Sequence, residues 1–142
     1  MRVRYLGNAG AALLAAVLVA GAEGVAAEDR DEFAAGKSEY MAACAACHGE
    51  AADGNGPIAT MFKSRVPDLR KIAAANDGVF PFLDVFHVVD GRTAVRAHGN
   101  PMPVFGNRYT AEAEEHGTLF GTETQARARV TELVLYLQSI QE

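Results

Sequence analysis

A chain of 142 residues is long enough for one domain and short for two. Hydrophobic residues make up 49% of it, a globular proportion that excludes wholesale disorder. Its 13 Lys and Arg against 18 Asp and Glu give a net charge of −5, which argues against nucleic-acid binding, since that needs a basic surface to displace phosphate counterions.

The chain opens with Arg2 and Arg4, followed by an apolar block from Ala9 through Leu13, Leu14, Val17 and Leu18 to Ala20. Small residues lead to Val25-Ala26-Ala27, and polarity returns abruptly at Glu28-Asp29-Arg30. A positive start, a short apolar middle and a small-residue end predict a secretory signal peptide over residues 1–27, leaving 28–142 as the mature domain. An uncleaved anchor is the alternative, opposed by Gly21 and Glu23, which interrupt the apolar run before it reaches comfortable spanning length. No membrane span is expected after cleavage, and losing Arg2, Arg4 and Glu23 leaves the remainder one charge more acidic. The expected location is the periplasm, an oxidising setting in which thiols do not stay free unless something consumes them.

Phe33, Gly36, Tyr40, Cys44 and Cys47 recur at spacings of three and four, predicting a helix from about Asp31 to Ala43 that continues into the cysteine turn. Gly49 to Val66 reads as loop, with dense turn chemistry at Asp53-Gly54-Asn55-Gly56-Pro57. Asp68 is placed to cap a short helix, Leu69 to Ala75, ended by Asn76-Asp77-Gly78. Phe82, Val85, Phe86 and Val89 predict another helix closed by Gly91, with His87 on its solvent side. Arg92 to Gly121 reads as mostly irregular, with an exposed His116 after Glu114-Glu115. Val130, Leu133, Val134, Leu137 and Ile140 mark an amphipathic helix from about Thr124 to Gln141. With no strand-like alternation, the class is all-α, built from about four short helices and long loops. An irregular stretch of about 30 residues is unusual unless it has work to do. A large apolar group inside the domain would give it that work.

Cys44-Ala45-Ala46-Cys47-His48 can supply such a group. Cysteines at i and i+3 of a helical turn present both sulfurs on one side. That arrangement suits thioether bonds to the two vinyl groups of one haem, with His48 beneath the ring as an iron ligand. It also accounts for two thiols surviving export. A dithiol redox motif would sit in a βαβ context, which is not visible here. A zinc site would need further ligands at close spacing, and the chain has no other cysteine. A plain disulfide would leave His48 unexplained.

With these residues in view, the sequence resembles the monohaem class I cytochromes c over Gly36 to Gln141. The resemblance rests on Gly36, Tyr40 and Cys44 to Gly49, on the last-helix run Leu133 to Leu137, and on Gly99-Asn100-Pro101-Met102-Pro103-Val104-Phe105-Gly106. It implies the class I fold wrapped around one covalently bound haem c, with Gly36 and Tyr40 meeting Leu133 and Tyr136. It also implies that Met102, in the stretch similar to the family's methionine loop, is the second axial ligand. Imidazole plus thioether can serve both oxidation states, and the Met sulfur raises the potential. Competing residues are Met41 and Met61, read as packing, and His98, an alternative imidazole four residues from Met102. A ligating His ordinarily donates its other ring N–H to a carbonyl, and the family pattern places that carbonyl on Pro57. Arg65, Arg92, Arg96 and Tyr109 are available as donors to haem propionates. Residues 107–121 depart from the simplest family pattern as a polar, acid-rich insertion.

The function this implies is a soluble periplasmic carrier of single electrons between transient redox protein partners, with no catalytic residue. Its acidic surface would steer it weakly toward basic partners in a salt-dependent way. Two other readings compete: a haem subunit held permanently in a larger oxidoreductase, and a five-coordinate haem acting as a gas sensor or peroxidase.

Overall fold

A computed structural model describes residues 31–92 and 102–142. Among these residues there are five α-helices and no strand: α1 Ala34–Ala43, α2 Ala45–His48, α3 Phe82–Asp90, α4 Phe105–His116 and α5 Thr122–Ser139. Short 3-10 turns lie at Ala59–Met61, Leu69–Lys71 and Ala74–Asn76. None of the described helices is long and apolar enough to cross a membrane. The segment expected to be a signal peptide, like His98 and Arg96, lies outside the described residues.

The longest helix, α5, is the hub on which α1, α3 and α4 all pack. Its buried stripe is Ala126, Val130, Leu133, Val134 and Leu137, the spacing of one helical face. α1 meets it through Gly36 and Tyr40, both buried. A β-carbon on Gly36 would stand 2.0 Å from the Glu132 carbonyl oxygen, so glycine is what lets the two backbones touch. One turn further on, the Tyr40 and Tyr136 rings lie 5.4 Å apart and tilted by 51°. The expected meeting of Gly36 and Tyr40 with the last helix is therefore present.

Residues expected to be irregular form a whole element. α4 buries Phe105, Tyr109 and Ala113 at successive i+4 positions against α5, so most of the 107–121 segment is a core helix and not an excursion. Polar residues fill its outer face, where Arg108 and Glu112 pair across one turn. α5 also starts at Thr122 and ends at Ser139, two residues earlier than expected at each end. The helix expected over Leu69 to Ala75 is split into two 3-10 turns, although Asp68 does cap it by accepting the Arg70 N–H at 3.0 Å.

The loop after α2 folds back on that helix. Gly54 N–H donates to His48 O at 2.7 Å, Gly56 N–H to Cys47 O at 3.1 Å and Ile58 N–H to Ala46 O at 3.1 Å. These bonds satisfy carbonyls that a helix C-terminus otherwise leaves without partners. The chain end is tied down in turn: Gln141 accepts the Ala73 N–H at 2.8 Å and donates to Leu69 O at 2.8 Å.

Candidate haem site

The helices and the loop through Phe62 to Pro67 line a partly open cavity of about 440 Å³. This lies within the range of roughly 300–1,000 Å³ usual for small-molecule and cofactor sites. Leu69, Val85, Val89, Phe105, Leu133 and Leu137 supply an apolar wall drawn from four parts of the chain. Cys44, Cys47 and His48 border it from the α1–α2 junction, and Met102 borders it from the segment leading into α4. The structure thus brings together four residues spread from position 44 to position 102 of the chain.

The α1–α2 junction explains how one short motif can present three side chains. Cys44 ends α1 and its N–H still donates to Tyr40 O at 2.8 Å. Cys47 and His48 N–H groups both donate to Cys44 O, which holds the turn tight. Neither cysteine is in a disulfide; Cys44 is buried and Cys47 half-buried. Burial, reinforced by the neighbouring Cys47 thiol, pushes the Cys44 thiol up to about 12, so it is a neutral thiol at physiological pH.

His48 is buried, and its Nδ1 lies 3.3 Å from Pro67 O. A carbonyl can only accept, so Nδ1 carries the proton and Nε2 keeps the lone pair a metal needs. Burial holds the imidazole pKa below its ordinary value, partly offset by the Pro67 bond, and so favours the neutral ligating form. The acceptor expected at Pro57 is instead Pro67. Pro57 is exposed, on the turn whose Gly56 and Ile58 amides bind back to α2. Pro67 reaches the histidine because the chain returns beside that turn: Leu69 N–H donates to Ala52 O at 2.8 Å, and a β-carbon on Gly54 would meet Val66 O at 2.4 Å. The local signal for this was Val66-Pro67 just before the Asp68 cap.

Met102 is half-buried at the cavity edge, whereas Met41 and Met61 are exposed and do not border it. Of the four propionate donors expected, Arg65 borders the cavity, joined by Ser64, which sequence reasoning missed. Arg92 is engaged elsewhere, with Asp90 and Glu123. Tyr109 is buried beneath the Arg129 guanidinium, 3.9 Å from its ring centre. His116 is exposed as expected. His87 is not solvent-facing: it is half-buried, with Nδ1 enclosed and unpartnered and its ring edge-on to Phe86 at 5.8 Å.

Among the described residues, no group of three or more His, Cys, Asp and Glu side chains is placed to hold a bare metal ion. Two thiols and one neutral imidazole beside a thioether-edged apolar cavity instead suit a metal carried in its own flat macrocycle. The residues fit haem c. Helices packed around such a cavity define a domain able to hold a haem. The family model described as Cytochrome c matches residues 33–140, and the chain belongs to that family, with its all-α class I fold. It is accordingly a haem-based electron-transfer cytochrome, and its family implies covalently bound haem c. No curated protein and no solved structure matches the chain significantly.

Proposed function

We propose that this chain is an exported, periplasmic, monohaem carrier of single electrons. In this reading Cys44 and Cys47 hold the porphyrin through thioethers, and His48 and Met102 are the axial ligands of its iron. The carrying observation is that His48 and Met102 border one apolar cavity, with the two cysteines on its wall. Bound there, the haem supplies a one-electron redox couple. The protein's part is to keep its surroundings nearly unchanged between the two states. His48 keeps its proton on Nδ1 by donating to Pro67 O, which fixes ring orientation and raises the basicity of the other nitrogen. Met102, next to Pro103, offers a neutral sulfur from stiff backbone. The aliphatic wall excludes water, so little solvent has to reorient when charge changes. The acidic balance, one charge beyond −5 once residues 1–27 are lost, steers encounter toward basic redox partners, weakly and less so at high salt.

The test is Met102→Ala in protein exported from a host that attaches haem. Expected are retained covalent haem, a lower reduction potential, and ferrous protein that binds carbon monoxide at neutral pH where the native protein does not. An unchanged potential retires Met102 as ligand. One observation favours a second reading, a subunit of a larger oxidoreductase: Leu119 and Phe120, between α4 and α5, are 96% and 79% exposed. Purification from the native host as a lone monomer opposes that reading.

A further inference from the structure

Among the described residues two polar side chains are buried, His48 and Asp90. The first faces the cavity. The second lies at the end of α3, where Arg92 grips it: Nε and Nη2 donate to Oδ1 at 2.9 and 2.7 Å, and the Arg92 N–H donates to Oδ2 at 3.3 Å. The other side of the same guanidinium donates to Glu123 on the first turn of α5, at 3.1 Å from Nη2 and through a second bond from Nη1. Asp90 is buried and Arg92 partly so, and desolvation at such a pair offsets much of its attraction, so stability alone gives little reason to keep it. The best-attested return is selection of one arrangement over its competitors.

What the pair selects is visible on α4. A β-carbon on Gly106 would stand 2.3 Å from Arg92 Nε and 2.4 Å from Asp90 Oδ1, so the first turn of α4 lies directly on the ion pair. A β-carbon on Gly91 would stand 3.2 Å from Val104 Cα. The backbone that carries Met102 into α4 is therefore seated, at Val104 and Gly106, on the Asp90–Arg92 corner. Resting on the ligation proposed above, we infer that Asp90, Arg92 and Glu123 form a positioning clamp that holds Met102 to the iron. None of the three touches the haem cavity; they act through the backbone that presents the sulfur.

The experiment compares Arg92→Gln and Glu123→Gln with Arg129→Gln in the haem-loaded protein. Arg129 pairs with Glu39 and Glu112 and is a separate network joining α1, α4 and α5. The readouts are the rate of carbon monoxide binding to ferrous protein, which tracks the fraction of molecules with sulfur off the iron, and amide exchange in the 102–106 segment. The clamp predicts binding about tenfold faster in Arg92→Gln, a smaller rise in Glu123→Gln, and native rates in Arg129→Gln even where its stability falls as far. Exchange in 102–106 should follow the same order. Native rates in both clamp variants, while Met102→Ala opens the iron, overturn the inference. So do equal rises in Arg92→Gln and Arg129→Gln. If Arg92→Gln does not fold, Glu123→Gln decides, because it leaves the buried pair intact. A native protein that binds carbon monoxide as fast as Met102→Ala removes the ligation reading instead, and the clamp with it.

Discussion

Replacing Gly36 by alanine sets two well-known effects against each other. On helix propensity alone, alanine at the third position of α1 should stabilise the protein by at most about 1 kcal/mol. Packing predicts the opposite. The new methyl carbon would lie 2.0 Å from the Glu132 carbonyl oxygen and 2.7 Å from Tyr136 Cβ. Comfortable heavy-atom contacts are about 3.5–4.0 Å, so α1 and α5 would have to part by more than about 1 Å. The obstacle is helix backbone, which has no rotamer to swing aside, and this puts the cost near the upper end of overpacking, about 3 kcal/mol. Subtracting the propensity gain leaves a loss of about 2 kcal/mol, or about 8 °C in Tm for a domain of this size. Denaturant unfolding of haem-loaded protein, followed by far-ultraviolet circular dichroism, measures it. Lys37→Ala, exposed on the same helix, is the control and should stay within about 0.5 kcal/mol. A Gly36→Ala protein as stable as the native one, or more so, would refute the reasoning that α1 and α5 touch backbone to backbone.

Other consequences are open to measurement. Tyr40→Phe removes the hydroxyl that donates to Gly49 O at 2.5 Å; that carbonyl keeps the Ala52 N–H at 3.0 Å, so the loss should be only about 1 kcal/mol by denaturant titration. Gly54→Ala, at φ +83° and against Val66 O, should push Pro67 away from His48, weaken the imidazole's donation and raise the reduction potential measured by redox titration. On the acid side, Arg70 holds the Asp68 carboxyl down to about 2, Arg108 and then Arg129 hold Glu112 below its ordinary range, and Lys71 does the same for Glu142. The unfolded chain therefore takes up these protons first. Stability contributed by the pairs is complete above about pH 4.5 and is lost as pH falls toward about 2. Melting curves between those limits should show a decline that high salt flattens, since solvent reaches every one of these pairs at least in part.

The legibility of this protein follows the range of the interactions involved. Cys44, Cys47 and His48 stand out in the sequence because they lie within one helical turn, where spacing alone sets geometry, and the structure places all three on one cavity. The same holds for the Asp68 cap, the α3 apolar face and the core stripe of α5. The 33–140 family match then implies covalently bound haem c for the domain as a class. α4 was not readable: its buried face is only Phe105, Gly106, Tyr109 and Ala113, set among polar residues and bounded by Pro103 and Gly117. Such a helix is called into existence by the surface of α5, not by its own pattern.

Sequence by itself determined which residues are proposed to carry the chemistry, since two sulfurs and an adjacent imidazole are properties of a few consecutive side chains. Only the tertiary structure decided which carbonyl orients His48. It chose Pro67 over Pro57 because Gly54 admits the returning chain, a contact between backbones with no counterpart in local spacing. It likewise decided that Arg92 spends its charge on Asp90 and Glu123 beneath the α4 start. The partner of a charged or polar group depends on which segments packing brings within a few ångströms. That is a property of the assembled core and not of neighbours along the chain.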